Sequence, residues 1–297
     1  MSNPEIATLR AAIADREPLT ELADIRKSMD ARLGSKVPDD VTVTACDAGG
    51  VPAEWTITPG VDAACVMLYL HGGGYVLGSL DSHRAFVAVA GRATGCRTLA
   101  LHYRLAPEHK FPAAYDDAIA AMRYAFEHPD QIGIDPTQIA VGGDSAGGNL
   151  AAAAALAARD AGLVLTNQVL IYPVTDLNMG TESYLRVTEG FPLVARTMAW
   201  FIEHYLGSET DKTDWRASPL HAASLAGTAP AIVVIAAHDP LCDEGLAYAK
   251  RLENEGVLVD SIYFSGQLHG FISMGKLLRA SDTAIRTIAH SLRANWS

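Results

Sequence analysis

Eight short segments rich in apolar and β-branched residues, alternating with helical stretches for most of the chain, leave this sequence few architectures. The segments are 41–46, 53–58, 64–70, 96–103, 138–141, 168–172, 231–236 and 258–264, and their length and composition predict strands. Helical patterns occupy 82–93, 113–127, 147–161, 244–255 and 281–292. Such alternation predicts a mostly parallel α/β sheet with right-handed crossovers, flanked by helices. The first two strands alternate polar and apolar residues, as an antiparallel edge does. The later ones are near-continuous apolar runs, as expected of strands covered on both faces. The chain has 297 residues, 49% of them hydrophobic and 19% charged, enough to build one sizeable core, and a single domain over 1–297 is expected.

Two segments break the rhythm. Residues 1–33 supply helical material before the first strand, and 179–214 lengthen the connection between the sixth and seventh. The second carries Phe191, Leu193, Met198, Trp200, Phe201, Tyr205 and Leu206, more apolar surface than a plain connection should expose. Together they are expected to form a helical cap over the carboxyl ends of the strands, where open α/β sheets bind ligands.

The net charge of −11 argues against a nucleic-acid partner, which needs clustered Lys and Arg. No apolar run is long enough to span a bilayer, so no membrane partner is expected. Residues 1–16 include Glu5, Arg10, Asp15 and Arg16 and hold no uninterrupted apolar stretch; a cytoplasmic protein is the expectation. Four cysteines, Cys46, Cys65, Cys96 and Cys242, are scattered without C-x-x-C or metal-ligand spacing and are read as thiols.

The strand at 138–141 runs into Gly142-Gly143-Asp144-Ser145-Ala146-Gly147-Gly148, followed by a helix of small residues. Gly143 to Gly147 match G-x-S-x-G. A turn this sharp throws the serine Oγ clear of the sheet, and the flanking glycines leave room for the strained backbone. The following helix points its positive end at the same place. A phosphate-binding turn would look similar, but the P-loop lysine and the dinucleotide glycine spacing are both missing. The third strand ends in His71-Gly72-Gly73-Gly74-Tyr75. Successive glycines let backbone N–H groups point into a cavity, where they can stabilise the oxyanion of a tetrahedral intermediate. Gly73, Gly74 and Ala146 are the candidate donors.

A serine hydroxyl needs a general base, and the base needs a group to hold it. With this elbow the chain order is serine, acid, histidine. Of ten histidines, only His238, His269 and His290 follow the seventh strand. His290 falls in an amphipathic helix, and His238 would precede the acid. His269 follows the eighth strand on a Gly-flanked loop and is the candidate base. Asp239, directly after the seventh strand, is the candidate acid. Asp243 reads better as part of the next helix's first turn, and Asp176 lies one strand end too early.

With these residues placed, the chain resembles the bacterial hormone-sensitive-lipase-like esterases of the α/β-hydrolase fold, from about residue 64 to 271. Four blocks carry the likeness: His71-Gly72-Gly73-Gly74-Tyr75, Tyr103-Arg104-Leu105-Ala106-Pro107-Glu108, Gly143-Asp144-Ser145-Ala146-Gly147, and Asp239-Pro240-Leu241 with Asp243-Glu244-Gly245. The resemblance implies a Ser145–Asp239–His269 triad, an oxyanion hole from Gly73, Gly74 and Ala146, and a cap from the two helical segments. It also admits a homodimer paired along the last strand. Cys242 departs from the family, which often has Arg there; it flanks the acid rather than supplying it. The Tyr103–Glu108 block is read as a structural corner.

The expected activity is hydrolysis of small carboxylic esters through an acyl-enzyme, without metal or cofactor. Phe191, Trp200, Phe201 and Tyr205 are expected to bind substrate by filling space over Ser145, which favours short acyl chains. A lactonase or amidase would use the same residues. A catalytically inactive small-molecule-binding protein on this fold would be expected to have lost its base, and a metallohydrolase would need a ligand cluster that is absent from the sequence pattern.

Overall fold

The computed structural model describes residues 6–7, 10, 21–34 and 36–295. Its eight strands are β1 (Thr42–Asp47), β2 (Pro52–Ile57), β3 (Asp62–Leu70), β4 (Cys96–Leu101), β5 (Ile139–Asp144), β6 (Gln168–Ile171), β7 (Ala231–His238) and β8 (Val259–Leu268). They form one sheet in the order β1-β2-β4-β3-β5-β6-β7-β8. The β1–β2 and β2–β4 pairs are antiparallel, and every pair from β4 through β8 is parallel. The fold is the α/β-hydrolase fold. Strand ends differ by a few residues from the sequence expectation. The glycines of β5 pair with β3 and β6, so ladder bonding carries that strand past its apolar run.

Among the described residues, the α-helices of five residues or more are α1 (Leu22–Leu33), α2 (Leu80–Thr94), α3 (Ala113–Glu127), α4 (Ala146–Asp160), α5 (Glu182–Arg186), α6 (Ala195–Tyr205), α7 (Cys242–Asn254) and α8 (Arg279–Asn295). Successive strand residues face opposite sides, and β3 shows the result. Val66, Leu68 and Leu70 join one core cluster with the alanines of α4, and Met67 and Tyr69 join the other with Phe86 and Val87 of α2 and Ile285 and Ile288 of α8. Helix α4 is Ala-rich because it sits in the middle of the first layer. Residues 146–156 are all buried there, and small side chains let the helix approach the sheet closely.

Cys65 of β3 and Cys96 of β4 form a disulfide, correcting the expectation of four thiols; Cys46 and Cys242 are free. Chain spacing gives no hint of this pair. It arises from the ladder: the β3–β4 register shifts between Asp62 and Val66, bringing Cys65 alongside Cys96 with Cα atoms 5.0 Å apart, within bridging range.

Of the expected cap, residues 1–5, 8–9 and 11–20 lie outside the described residues. Helix α1 is fastened by Arg26, which donates to the carbonyls of Val76 (2.9 Å) and Ala106 (2.8 Å) and to both carboxylate oxygens of Glu108 (2.7 and 2.8 Å). Helix α6 is fastened at its carboxyl end, where Lys110 donates to the carbonyl of Leu206 (2.9 Å) and the Phe111 N–H to that of Tyr205 (2.8 Å). The Tyr103–Glu108 corner and the two residues after its neighbour His109 therefore hold both pieces. Among the described residues, no helix is long and apolar enough to cross a membrane.

Candidate active site

The strand β5 stops at Asp144 because Ser145 takes φ 56°, ψ −118°, and α4 begins at the next residue. A non-glycine residue at positive φ is strained unless its surroundings fix it. Here the Ser145 N–H donates to the Ile171 carbonyl (2.9 Å), and the Ser145 carbonyl accepts from Asn149 (3.1 Å) and Val174 (3.2 Å). The glycines of the motif answer a different need. A Cβ on Gly143 or on Gly147 would strike the carbonyl oxygen of Leu70 at the end of β3. Close approach between neighbouring strand ends, rather than backbone freedom, excludes side chains at both positions.

The second turn follows β3. Gly73 and Gly74 have φ of 127° and 61°, and the Gly73 carbonyl closes the turn by accepting from Leu77 (2.8 Å) and Val76 (3.2 Å). Among the described residues, the N–H groups of Gly73, Gly74 and Ala146 donate to no group of the chain. Burial pushes the His71 imidazole down to about 3, so it is neutral. Its Nδ1 lies 2.9 Å from the Gly72 carbonyl, and its own carbonyl accepts from the Tyr103 hydroxyl (2.6 Å).

Ser145, His269 and Asp239 come together in one hydrogen-bonded chain. His269 Nε2 lies 2.9 Å from Ser145 Oγ, and Nδ1 lies 2.6 Å from Asp239 Oδ2. The Asp239 side chain is 1% exposed, and its other oxygen accepts from the Leu241 N–H (2.9 Å). A carboxylate oxygen can only accept, so Nδ1 facing one carries the proton and Nε2 presents its lone pair to the serine. The rivals lie elsewhere. Asp243 accepts from the Ser183 N–H (2.7 Å) and from Arg186 (3.2 Å), and Asp176 faces His221 (3.0 Å). His290 is exposed on α8, and His238 stacks on Phe191. Cys242 is buried at the start of α7, where burial pushes its thiol up to about 11. Among the described residues, no cluster of His, Cys, Asp and Glu is arranged to hold a metal ion.

The four aromatic residues expected over Ser145 separate. The Phe201 ring abuts Gly74 so closely that a Cβ there would enter it. Trp200, half-buried, packs edge-on against Phe201 with centroids 5.2 Å apart. Tyr205 is fully buried and stacks on Tyr75, 3.7 Å between centroids at 5°. It anchors α6 to the glycine turn rather than facing open space. Phe191 stacks on His238, with the Arg10 guanidinium 4.4 Å from its centroid. Ser145 itself is 7% exposed.

Some contributors escaped the sequence reading. Asp144 accepts from the Tyr69 hydroxyl (2.6 Å) and the Gly72 N–H (2.9 Å). Burial would raise its pKa, but His83 and these donors hold it near 2. Tyr172, at φ 35°, lays its ring 4.6 Å from that of His269. Glu244 is fully buried and accepts from the N–H groups of Thr175 (2.7 Å) and Asp176 (3.3 Å). A charged residue inside an otherwise apolar, glycine-rich elbow was the available signal for Asp144; nothing in the sequence pointed to Tyr172.

A family model described as alpha/beta hydrolase fold matches residues 67–273. The chain is 39% identical to the carboxylic ester hydrolase LipN of Mycobacterium tuberculosis, over all of this chain and 81% of that one. It is also 39% identical to an ethyl acetate hydrolase of Pseudomonas putida, over 86% of this chain and 81% of the relative. Among solved structures, an esterase from the bacterial hormone-sensitive lipase family superposes with a TM-score of 0.92 at 34% identity, covering 100% of both chains. The chain belongs to the α/β-hydrolase family and, within it, to the bacterial hormone-sensitive-lipase-like group.

Proposed function

We propose that this chain is a serine carboxylesterase acting on short-chain esters through an acyl-enzyme. The observation that carries the reading is His269 bridging Ser145 Oγ at 2.9 Å and Asp239 at 2.6 Å. His269 Nε2 takes the serine proton as Oγ bonds to the ester carbonyl carbon, and the carbonyl oxygen becomes an oxyanion. The N–H groups of Gly73, Gly74 and Ala146 donate to that oxyanion, aided by the positive end of α4. Collapse of the intermediate breaks the bond to the alcohol oxygen, which leaves with the proton from Nε2. Water then repeats the sequence on the acyl-enzyme and releases the acid. Asp239 holds the imidazole tautomer and stabilises the imidazolium.

Short acyl chains follow from the cover, for which residues 1–33 and 179–214 are proposed as one cap. Phe201 against Gly74 of the oxyanion turn, with Trp200 packed on Phe201, supports a restricted space over the elbow. An apolar pocket rewards each added methylene by about 0.8 kcal/mol until the chain meets its wall. A p-nitrophenyl ester series tests this: kcat/KM should peak between acetate and hexanoate and fall by decanoate. A peak at dodecanoate or beyond would refute the chain-length claim. A homodimer along β8 is part of the proposal, supported by its edge position and by exposed Leu258 and Tyr263; light scattering in solution tests it.

A further inference from the structure

We propose that Asp144 is a positioning residue whose carboxylate ties the oxyanion turn to the nucleophile elbow, holding the Gly73 and Gly74 N–H groups at a fixed spacing from Ser145 Oγ. The inference rests on the serine-esterase reading and deepens it.

The two turns leave adjacent parallel strands whose last rung pairs Leu70 with Gly143. Beyond that rung the elbow swings the β5 chain away, because Ser145 adopts φ 56°. The Asp144 side chain bridges the gap: Oδ1 accepts the Gly72 N–H at 2.9 Å, one residue before Gly73. The fit is tight on the other side too, since a Cβ on Gly72 would collide with this carboxylate. Oδ1 is fixed from behind by the Tyr69 hydroxyl at 2.6 Å, and His83 Nε2 stands 3.5 Å away. His83 is held in turn by Ser82 Oγ at 2.8 Å, in the first turn of α2. The Asp144 side chain is 8% exposed. A buried charge costs stability unless fully partnered, so its place beside the reacting serine calls for a role that an apolar filler would not perform. Oxyanion donors act through position: loss of one costs roughly 10²–10³ in kcat, and misplacement of a reacting group by about 1 Å can cost roughly 10².

The test compares wild type, Asp144→Ala, Asp144→Asn and Tyr69→Phe on p-nitrophenyl butyrate. Active sites are counted by diethyl p-nitrophenyl phosphate labelling, so turnover is expressed per intact serine. Asp144→Ala should lower kcat by about 10²-fold, with KM within about threefold, because the donors act in the transition state. Its affinity for a trifluoromethyl ketone, which forms the tetrahedral adduct, should fall in parallel. Asp144→Asn keeps an acceptor oxygen for Gly72 and should recover most of the loss. Tyr69→Phe removes one hydrogen bond that fixes the carboxylate and should lower kcat by about threefold, which tests the claim even if Asp144→Ala does not accumulate. Unchanged kcat in Tyr69→Phe and Asp144→Ala, a rise in KM alone, or an Asn variant no better than Ala would overturn the assignment. A Ser145→Ala enzyme with wild-type turnover would instead fell the esterase reading itself, and this inference with it.

Discussion

The floor of the site and its cover are built by different kinds of constraint. The floor is fixed by backbone: a serine at φ 56°, glycines pressed against the Leu70 carbonyl, and ladder bonds from three strands. The cover is fixed by side chains, with Tyr205 on Tyr75, Phe201 on Gly74, and Arg26 and Lys110 on carbonyls of the other layer. A constraint of the first kind tolerates almost no added atom. One of the second kind can be repacked, as the proposed role of the cover in setting substrate size requires.

The sharpest contrast lies within one motif. Asp239 belongs to the floor, and Asp243, four residues on, reaches into the cover through Ser183 and Arg186. Asp239→Asn should lower kcat by about 10⁴, the size seen when a serine-protease template loses its correct imidazole tautomer. Asp243→Asn should cost less than about tenfold. Equal losses in steady-state kinetics would erase the distinction.

Next comes Gly147→Ala. Helix propensity alone favours Ala over Gly by about 1 kcal/mol, so a floor without close contacts would be stabilised. The collision with Leu70 predicts the opposite sign: a lower urea midpoint and little or no esterase activity. A stabilised, active variant would show that the floor is not packed as described.

The cover should respond more mildly. Tyr205→Ala should cost about 3–5 kcal/mol of stability, as for other buried aromatics. Trp200→Ala should cost less than about 2 kcal/mol while moving the preferred acyl chain to greater length. A Trp200→Ala enzyme with an unchanged chain-length profile would place the wall elsewhere.

The smallest effect is expected at the seam between floor and cover, where Glu244 holds Thr175 and Asp176. Burial pushes its carboxyl up from 4.5 to about 8. Between those values the folded chain keeps a proton that the unfolded chain has released, so stability falls as pH rises through the window. Glu244→Gln removes that dependence. Urea midpoints should decline less for the variant than for wild type between pH 5 and 8; parallel slopes would contradict the assignment.

The floor was largely legible in the sequence, because the features that build it leave residue signatures. Only Gly fits beside a carbonyl at van der Waals range, and a triad in fixed chain order sorts ten histidines down to one. The eight strands were equally visible in apolar runs. What pairing decides was not legible: Cys65 meets Cys96 through a register shift, and Tyr205 turned inward onto Tyr75 although its spacing resembles that of Phe201. Asp144 lies inside the G-x-S-x-G motif at a position the pattern leaves open, and its partners Tyr69 and Gly72 come from another strand end.

The central claim is that Ser145 is the residue acylated. Intact-mass and peptide mass spectrometry after treatment with diethyl p-nitrophenyl phosphate should show one diethylphosphoryl adduct, confined to the peptide containing Ser145, with esterase activity lost in proportion to labelling. His269→Ala should label far more slowly. An adduct on any other residue that accounts for the loss of activity, or full activity in the labelled enzyme, would contradict the account.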